Sequence, residues 1–201
     1  MPISGYPDEI AHIRKGESIL FECGDNQIPG LLAQILGHKY SENGGKVLYI
    51  TSRNERFVSQ QLRRIDSRGV DFDIYEKVDP FNFSKAFRPG SLVIIDSVEY
   101  LLYHLDHDEL MEVFESMNEK CKEAGSILIM VGQISTLDIK SQVIIRHNVD
   151  GIMQFLYNER PEGINRFIRI PRWTDGRPYD SNIFYKYENE RINIDLRSRV
   201  V

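Results

Sequence analysis

Asp96 is the residue of this sequence whose type and setting first suggest chemistry. It follows four apolar residues, 92–95, in a segment typical of a buried strand. In an open α/β sheet, ligands bind at the carboxyl ends of the strands, and an aspartate there can assist magnesium binding beside a phosphate. An aspartate at a strand end also commonly caps a loop, so the motif alone leaves both roles open.

The loop after the first apolar segment is the second place where phosphate chemistry is expected. Phosphate-binding loops read GxxxxGK[ST]: backbone amides wrap the phosphates, the lysine neutralises their charge, and the Ser or Thr holds magnesium. Residues 23–30 read CGDNQIPG and contain neither the lysine nor the hydroxyl residue. Asp25 adds negative charge where phosphates need positive charge. A predicted strand over 18–23 and a helix opening at Pro29 nevertheless flank this loop correctly.

Two further groups of residues admit a chemical and a structural interpretation. His104, Asp106, His107 and Asp108 include possible zinc ligands, but an aspartate here is also a natural N-cap for the helix that follows. We favour the cap and predict no metal site. A C-terminal mixture of arginines and aromatic residues can bind single-stranded nucleic acid or can form packed strand faces. Its members are Arg160, Arg166, Arg169, Arg172, Arg177, Tyr157, Phe167, Trp173 and Tyr179.

The composition is that of an ordinary globular protein. The chain has 201 residues, 41% hydrophobic and 27% charged, with a net charge of −5, so its surface as a whole does not attract nucleic acid. Its two cysteines, Cys23 and Cys121, make neither a disulfide framework nor a zinc cluster. The N-terminus lacks a signal-peptide pattern and no apolar run is long enough to span a bilayer, so we expect a cytoplasmic protein.

The elements that must position these residues alternate between short apolar runs and amphipathic stretches. This alternation predicts a parallel sheet with helices on both faces. The last quarter reads as successive strands, which predicts an antiparallel C-terminal extension in one domain of residues 1–201. Strands are predicted at 18–23, 46–51, 73–76, 91–96, 126–131, 151–155, 165–170, 182–187 and 191–196, with helices from 29, over 54–67 and over 108–124 and a hairpin turn at 188–190.

Arg53 follows the predicted strand 46–51, beside the one that carries Asp96. It either reaches into the empty phosphate space and pairs with Asp96, or lies solvated at the surface. Both interpretations remain open on the sequence.

In their order and spacing, five segments resemble the KaiC-like branch of the RecA superfamily of P-loop ATPases along nearly the whole chain. The resemblance implies a RecA-like fold. The segments are 14–18 (RKGES), 46–52 (KVLYITS), 91–100 (SLVIIDSVEY), 148–152 (NVDGI) and 167–172 (FIRIPR).

Most functional residues implied by this resemblance are missing. The phosphate-loop lysine falls on Pro29 and the threonine on Gly30. The acidic residues that activate the attacking water fall on Arg53 and Asn54. Loss of phosphate, metal and water-activating contacts together implies an inactivated ATPase.

Other positions of the family pattern are kept. The metal-assisting aspartate is Asp96, and the polar phosphate sensor at the end of the next strand is Gln133. A cation that reaches a neighbouring subunit's ATP falls on Arg172, whereas a second one falls on Thr174.

The resemblance therefore implies a catalytically inactive RecA/KaiC-like pseudo-ATPase, not an enzyme, that binds no cofactor or metal. We expect a regulatory or signal-transduction role with a protein partner, and an active RecA/KaiC-like relative is one candidate for that partner. We also expect a monomer or small oligomer. Two alternatives stay open: an accessory protein that binds single-stranded nucleic acid, and residual nucleotide binding by a non-standard loop. The vestigial nucleotide site comprises Gly24, Asp25, Asn26, Gln27, Ile28, Pro29, Gly30, Arg53, Asp96 and Gln133.

Overall fold

The structure, a computed structural model, describes residues 13–23, 28–65, 72–76, 78–161, 163–173, 179–188 and 191–195. Within these ranges no helix combines the length and the apolar character needed to cross a bilayer.

Nine described strands form one sheet. They are β1 (Ser18–Cys23), β2 (Val47–Thr51), β3 (Phe72–Glu76), β4 (Leu92–Asp96), β5 (Ile127–Gly132), β6 (Gly151–Arg160), β7 (Gly163–Arg172), β8 (Tyr179–Glu188) and β9 (Arg191–Asp195). Their order in the sheet is β3-β2-β4-β5-β1-β6-β7-β8-β9. The first six strands in that order run parallel to one another, and β7, β8 and β9 continue the sheet in antiparallel fashion.

Helices cover both faces of the parallel strands, and each face has its own apolar core. The α-helices are α1 (Ile28–Glu42), α2 (Glu55–Ile65), α3 (Val98–Leu102), α4 (His107–Ala124) and α5 (Ile139–His147), and short 3-10 helices cover Pro80–Ala86 and Ile134–Thr136. Leu32 and Leu36 of α1 and Val58 of α2 belong to one core, whereas Phe114 of α4 and Ile145 of α5 belong to the other.

Local chemistry explains the ends of the longest helix, α4. The side chain of Asp106 accepts hydrogen bonds from the backbone N–H groups of Asp108 and Glu109, while the Glu109 carboxylate accepts from the N–H of Asp106. This reciprocal arrangement is a capping box, which satisfies N–H groups that have no partner inside the helix. Gly125 ends the helix with φ 56, in the left-handed region that glycine adopts without steric cost.

The predicted fold class is confirmed: a mainly parallel α/β sheet with helices on both faces and an antiparallel C-terminal extension. The C-terminal strands are longer than predicted, reaching ten residues in β6, β7 and β8. Two helices, α3 and α5, were not predicted. The predicted turn at 188–190 lies mostly outside the described residues, and the single domain of residues 1–201 stays a prediction.

Candidate functional site

The end of β4 places Asp96 in the interior of the molecule. Asp96 pairs in register with Thr51 on β2 and Val131 on β5, and only 2% of its surface is exposed. The Tyr49 hydroxyl donates a hydrogen bond of 2.6 Å to Oδ2 of Asp96. The aspartate that corresponds to the family's metal-assisting residue is therefore buried and already holds a partner from its own chain.

Tyr49 belongs to a line of buried polar side chains that ends at Asp96. Nε2 of Gln34, on α1, donates to the Tyr49 hydroxyl oxygen at 3.1 Å and to Oε1 of Gln61 at 3.3 Å. Because the hydroxyl accepts from Gln34, its single proton is directed at Asp96. Burial and then the charge of Asp96 raise the pKa of Tyr49 well above its usual value, so it acts as a neutral hydrogen-bond donor.

Gly30 leaves room for this arrangement in the first turn of α1. A Cβ atom at Gly30 would lie 3.2 Å from Oδ2 of Asp96, closer than ordinary van der Waals contact. The carboxylate thus lies against the helix backbone at the position where the family pattern has threonine. The Cβ atom of a threonine there would be in tight contact with the Asp96 carboxylate, which would have to shift by a few tenths of an ångström.

Arg53 influences Asp96 without forming the ion pair that was one of its two interpretations. No ion pair within 4 Å joins the two side chains, and the half-buried Arg53 guanidinium lies 5.9 Å from the centre of the Phe57 ring. Its positive charge still lowers the pKa of Asp96, as does the Tyr49 hydrogen bond, but burial is the larger effect and the pKa is raised overall. The other interpretation, a fully solvated surface arginine, does not describe Arg53 either, because its side chain is half-buried and lies over the Phe57 ring.

Glu99 is a residue of this region that the sequence reasoning missed. It lies in α3, three positions after Asp96, and its carboxylate contacts Gly132 at the end of β5. Its Oε2 atom is buried without a hydrogen-bond partner among the described residues, and burial raises its pKa. Burial, and after it the charges of Glu99 and Asp96, raise the pKa of the Cys23 thiol to about 12. The region between β1, β4 and β5 is therefore acidic.

The remaining vestigial residues have mixed outcomes. Ile28, Pro29 and Gly30 open α1 and are all buried. Gln133 follows β5 and is the N-cap of the 3-10 helix, where its carbonyl oxygen accepts from the N–H and the hydroxyl of Thr136 at 3.0 and 2.8 Å. Gly24, Asp25, Asn26 and Gln27 lie outside the described residues.

Arg172 has an internal role that differs from the one implied by the resemblance. Its guanidinium NH2 group donates to the carbonyl oxygens of Arg146 and Val149, at the end of α5. The last carbonyl groups of a helix have no partner inside it, so a cation there stabilises the helix end. In this structure the Arg172 side chain is held within its own chain, and its reach toward a neighbouring subunit stays a prediction. Thr174 lies outside the described residues.

The histidine and aspartate group near α4 is distributed over separate contacts. Asp106 caps α4, as predicted. Nε2 of His107 lies 3.2 Å from Oδ1 of Asp138, and the His104 ring lies 5.5 Å from that of Tyr103. Within the described part of the chain, no three His, Cys, Asp or Glu side chains are grouped so that they could hold a metal ion.

The basic and aromatic residues of the C-terminal strands lie on two faces of the sheet. Phe167 pairs with Leu156 and Phe184, whereas its neighbour Arg166 pairs with Tyr157 and with Tyr185, which is buried in the core on the α1 side. Trp173 packs against that same core, and Arg169 is exposed. Arg177 and the side chains of Arg160 and Tyr179 are not among those described.

The described residues of this site lack the groups that would bind a magnesium–nucleotide complex. They supply no lysine at Pro29 and no hydroxyl at Gly30, and the carboxylate of Asp96 is buried and bonded to Tyr49. Residues 24–27 cannot replace the lysine with a side-chain cation, since none of them is basic.

Comparison with solved structures identifies the fold. A KaiC-like protein from the hyperthermophilic archaeon Pyrococcus horikoshii is similar with a TM-score of 0.71 and 16% identity, over 96% of this chain and 97% of that one. The flagellar accessory protein FlaH from Methanocaldococcus jannaschii is similar with a TM-score of 0.67 and 17% identity, over 92% of both chains. No protein-family model and no curated protein sequence matches the chain. The RecA-like fold implied by the sequence resemblance is thus confirmed.

Proposed function

We propose that this chain is a catalytically inactive RecA/KaiC-like protein that acts as a regulatory or signal-transduction interaction module. The observation that carries the proposal is the buried hydrogen bond from Tyr49 to Asp96, with Gly30 packed against the same carboxylate. A metal-assisting aspartate has to lie within reach of the ion's ligand sphere. Asp96 is only 2% exposed, and its Oδ2 atom already accepts the Tyr49 hydroxyl.

Electrostatics around the site support the same proposal. Nucleotide phosphates need positive charge or aligned N–H groups nearby. Here Glu99 adds a second partly buried carboxylate, and Arg53 is the cation that acts on Asp96. A phosphate placed between Asp96 and Glu99 would meet like charge in a region of low dielectric constant, where repulsion is strong.

An exposed apolar surface supports the interaction role. Tyr100, Tyr103, Ile139 and Val143, which we call the tyrosine–isoleucine patch, are 63%, 70%, 79% and 59% exposed. The rings of Tyr100 and Tyr103 lie 5.9 Å apart. His107 begins α4, four residues after Tyr103, and its hydrogen bond to Asp138, the residue before Ile139, brings the chain that follows α3 to the start of α5. Grouped exposed apolar side chains of this size often mark a binding surface.

The proposal extends to assembly and location. Because no nucleotide would join neighbouring subunits, we infer a monomer or small oligomer in the cytoplasm, or a complex with a protein partner such as an active relative. One solved structure with this fold is a flagellar accessory protein, and an accessory role in a larger assembly is consistent with this proposal. A stable homohexamer by light scattering in nucleotide-free buffer would refute this part of it.

The experiment that tests the proposal measures phosphate release from ATP with magnesium, by the purified chain and by its Asp96→Asn variant. The two proteins are expected to show the same background rate, because a contaminating ATPase contributes equally to both. Hydrolysis by the wild-type chain that Asp96→Asn abolishes would contradict inactivity and would favour the residual nucleotide-binding alternative.

A further inference from the structure

We infer that the tyrosine–isoleucine patch, together with the adjacent face of α4, binds a basic amphipathic helical segment of a partner protein. This inference rests on the proposed interaction role and names the chemistry of the partner. Two surfaces carry it: apolar side chains that are presented outward on a firmly held helix, and a row of exposed carboxylates on the neighbouring helix α4.

The helix that carries Ile139 and Val143 is fixed at both ends. Asp138 accepts hydrogen bonds from the N–H and the hydroxyl of Ser141 at its start. At its end, Arg172 donates to two carbonyl oxygens. Ile139 and Val143 are four positions apart and therefore share one side of α5. Their exposure is a property of a well-anchored helix and not of a frayed one.

A partly buried ion pair holds the same helix to the sheet. Arg146 of α5 donates to both carboxylate oxygens of Glu22 on β1. Its Nε donates to Oε2 at 3.2 Å, and its NH2 group donates to Oε1. Gln154 on β6 donates to the same carboxylate at 3.3 Å. Glu22 is 8% exposed. The buried residues of α5 are Ser141 and Ile145, which lie on the side of the helix opposite Ile139 and Val143, so the latter two are left outward.

Helix α4 lies beside α5 along its length. His107 contacts Asp138 at the start of α5, and Nδ2 of Asn118 donates to the carbonyl oxygen of Asn148 at its end, at 2.6 Å. Positions 107, 111 and 118 of α4 face α5, because Met111 also contacts Asn148. The outward face of α4 therefore continues the surface of α5.

That outward face of α4 is acidic. The helix carries six acidic residues and two lysines, and five of the acidic residues recur at helical spacing and are exposed. One lysine is partly neutralised, since Lys120 pairs with Glu123 at 2.5 Å. The five residues, which we call the acidic face of α4, are Asp108, Glu112, Glu115, Glu119 and Glu123.

The charge pattern selects the partner. A helix laid on the patch would place apolar side chains on Ile139, Val143 and the tyrosines, as helices do in apolar grooves. Lysines or arginines along its edge would meet the acidic face of α4, and would also interact favourably with the exposed faces of Tyr100 and Tyr103. A polyanion such as nucleic acid would be repelled by the same carboxylates.

The test uses an 18-residue fluorescein-labelled peptide of leucines and lysines at helical spacing, with binding followed by fluorescence anisotropy. We expect binding that weakens as salt is raised. The double variant Ile139→Ser/Val143→Ser should weaken it at least about tenfold, because both apolar anchors are lost. The triple variant Glu112→Lys/Glu115→Lys/Glu119→Lys should weaken it by a similar factor and flatten its salt dependence.

A matched variant separates this surface from net charge. Glu42→Lys/Glu55→Lys/Glu159→Lys changes the net charge by the same amount at exposed positions away from α4 and α5, and should alter binding less than about twofold. Circular dichroism and thermal melting establish that all variants are folded.

Four results would overturn the inference: no binding of the peptide at 100 µM, equal binding by the wild type and the Ser variant, equal losses in the two charge variants, or tighter binding of single-stranded oligothymidylate than of the peptide. Self-association of the wild type that the Ser variant abolishes would also overturn it, because the occupant would then be a second copy. The ATP hydrolysis assay is independent: its outcome decides the proposed inactivity, whichever way the peptide result falls.

Discussion

The hydroxyl of Tyr49 donates a 2.6 Å hydrogen bond to Oδ2 of Asp96, between the neighbouring strands β2 and β4. The donor occupies one of the acceptor positions of a carboxylate that would otherwise be available to a metal's water ligands. Gln34 fixes the direction of that hydroxyl proton. The carboxylate retained at this position is thereby part of the interior of the chain.

Replacing Tyr49 by Phe should destabilise the protein because Asp96 and Gln34 each lose a buried partner. We expect a decrease of about 1–3 kcal/mol in the free energy of unfolding, measured by urea denaturation at pH 7. The matched control is Tyr40→Phe, where the lost hydrogen bond is to the carbonyl oxygen of Gly90 at a half-buried site. That control should cost about 0.5–1.5 kcal/mol. A smaller loss for Tyr49 than for Tyr40 would contradict the importance of the pair.

The pH dependence of stability should change in Asp96→Asn. Burial raises the pKa of Asp96 in the folded state above the usual aspartate value of about 3.9, so the folded state binds this proton more tightly than the unfolded state. Asp96 therefore makes the protein less stable as the pH rises from about 3.9 through the raised pKa of the folded state. Asparagine removes that loss and can still accept from Tyr49.

The measurement is the free energy of unfolding of wild type and Asp96→Asn at several pH values between 4 and 7.5. The difference, variant minus wild type, should increase with pH and then become constant. A difference that falls as the pH rises would mean that the ionised carboxylate is stabilised, as it would be by a close ion pair with Arg53.

Arg172 supplies a test of its internal role. Replacing it by Met keeps the apolar stem and removes the donors to the carbonyl oxygens of Arg146 and Val149. We expect a loss of about 1–3 kcal/mol in the free energy of unfolding, together with faster amide exchange in α5.

The control for this change is Arg88→Met. Arg88 pairs at the surface with Asp73 at 3.4 Å, and such pairs contribute about 0–1 kcal/mol. If Arg172→Met were as stable as wild type, the arginine would be free for another role, including one at the surface of a neighbouring molecule.

The sequence predicted the sheet well because its central strands are continuous apolar runs. Every residue of β2 and β4 is buried, so no alternation of polar residues obscures them. It missed α5 because Ile139 and Val143 lie on the exposed side of that helix, and an apolar pattern is expected to mark the buried side. It missed α3 because five residues are too few to display a helical period.

The candidate site was predicted only in part, for a different physical reason. The loss of the phosphate-loop lysine and threonine can be read directly from the sequence, because Pro29 and Gly30 stand at their positions. The partner of Asp96 is not, because Tyr49 is 47 positions away and approaches it only when β2 and β4 pair in register. The position of Arg172 likewise depends on how β7 and α5 pack, and residue spacing alone does not supply that geometry.

Calorimetric titration of the purified chain with ATP and magnesium tests the central claim most directly. If the site is abandoned, as proposed, no heat of binding should appear at millimolar ATP, and thermal melting should not shift, since a ligand of the folded state would raise the melting temperature. Tight, magnesium-dependent binding would contradict the account. It would mean that residues 24–30 hold phosphates without the lysine and threonine, and that Asp96 exchanges Tyr49 for the metal.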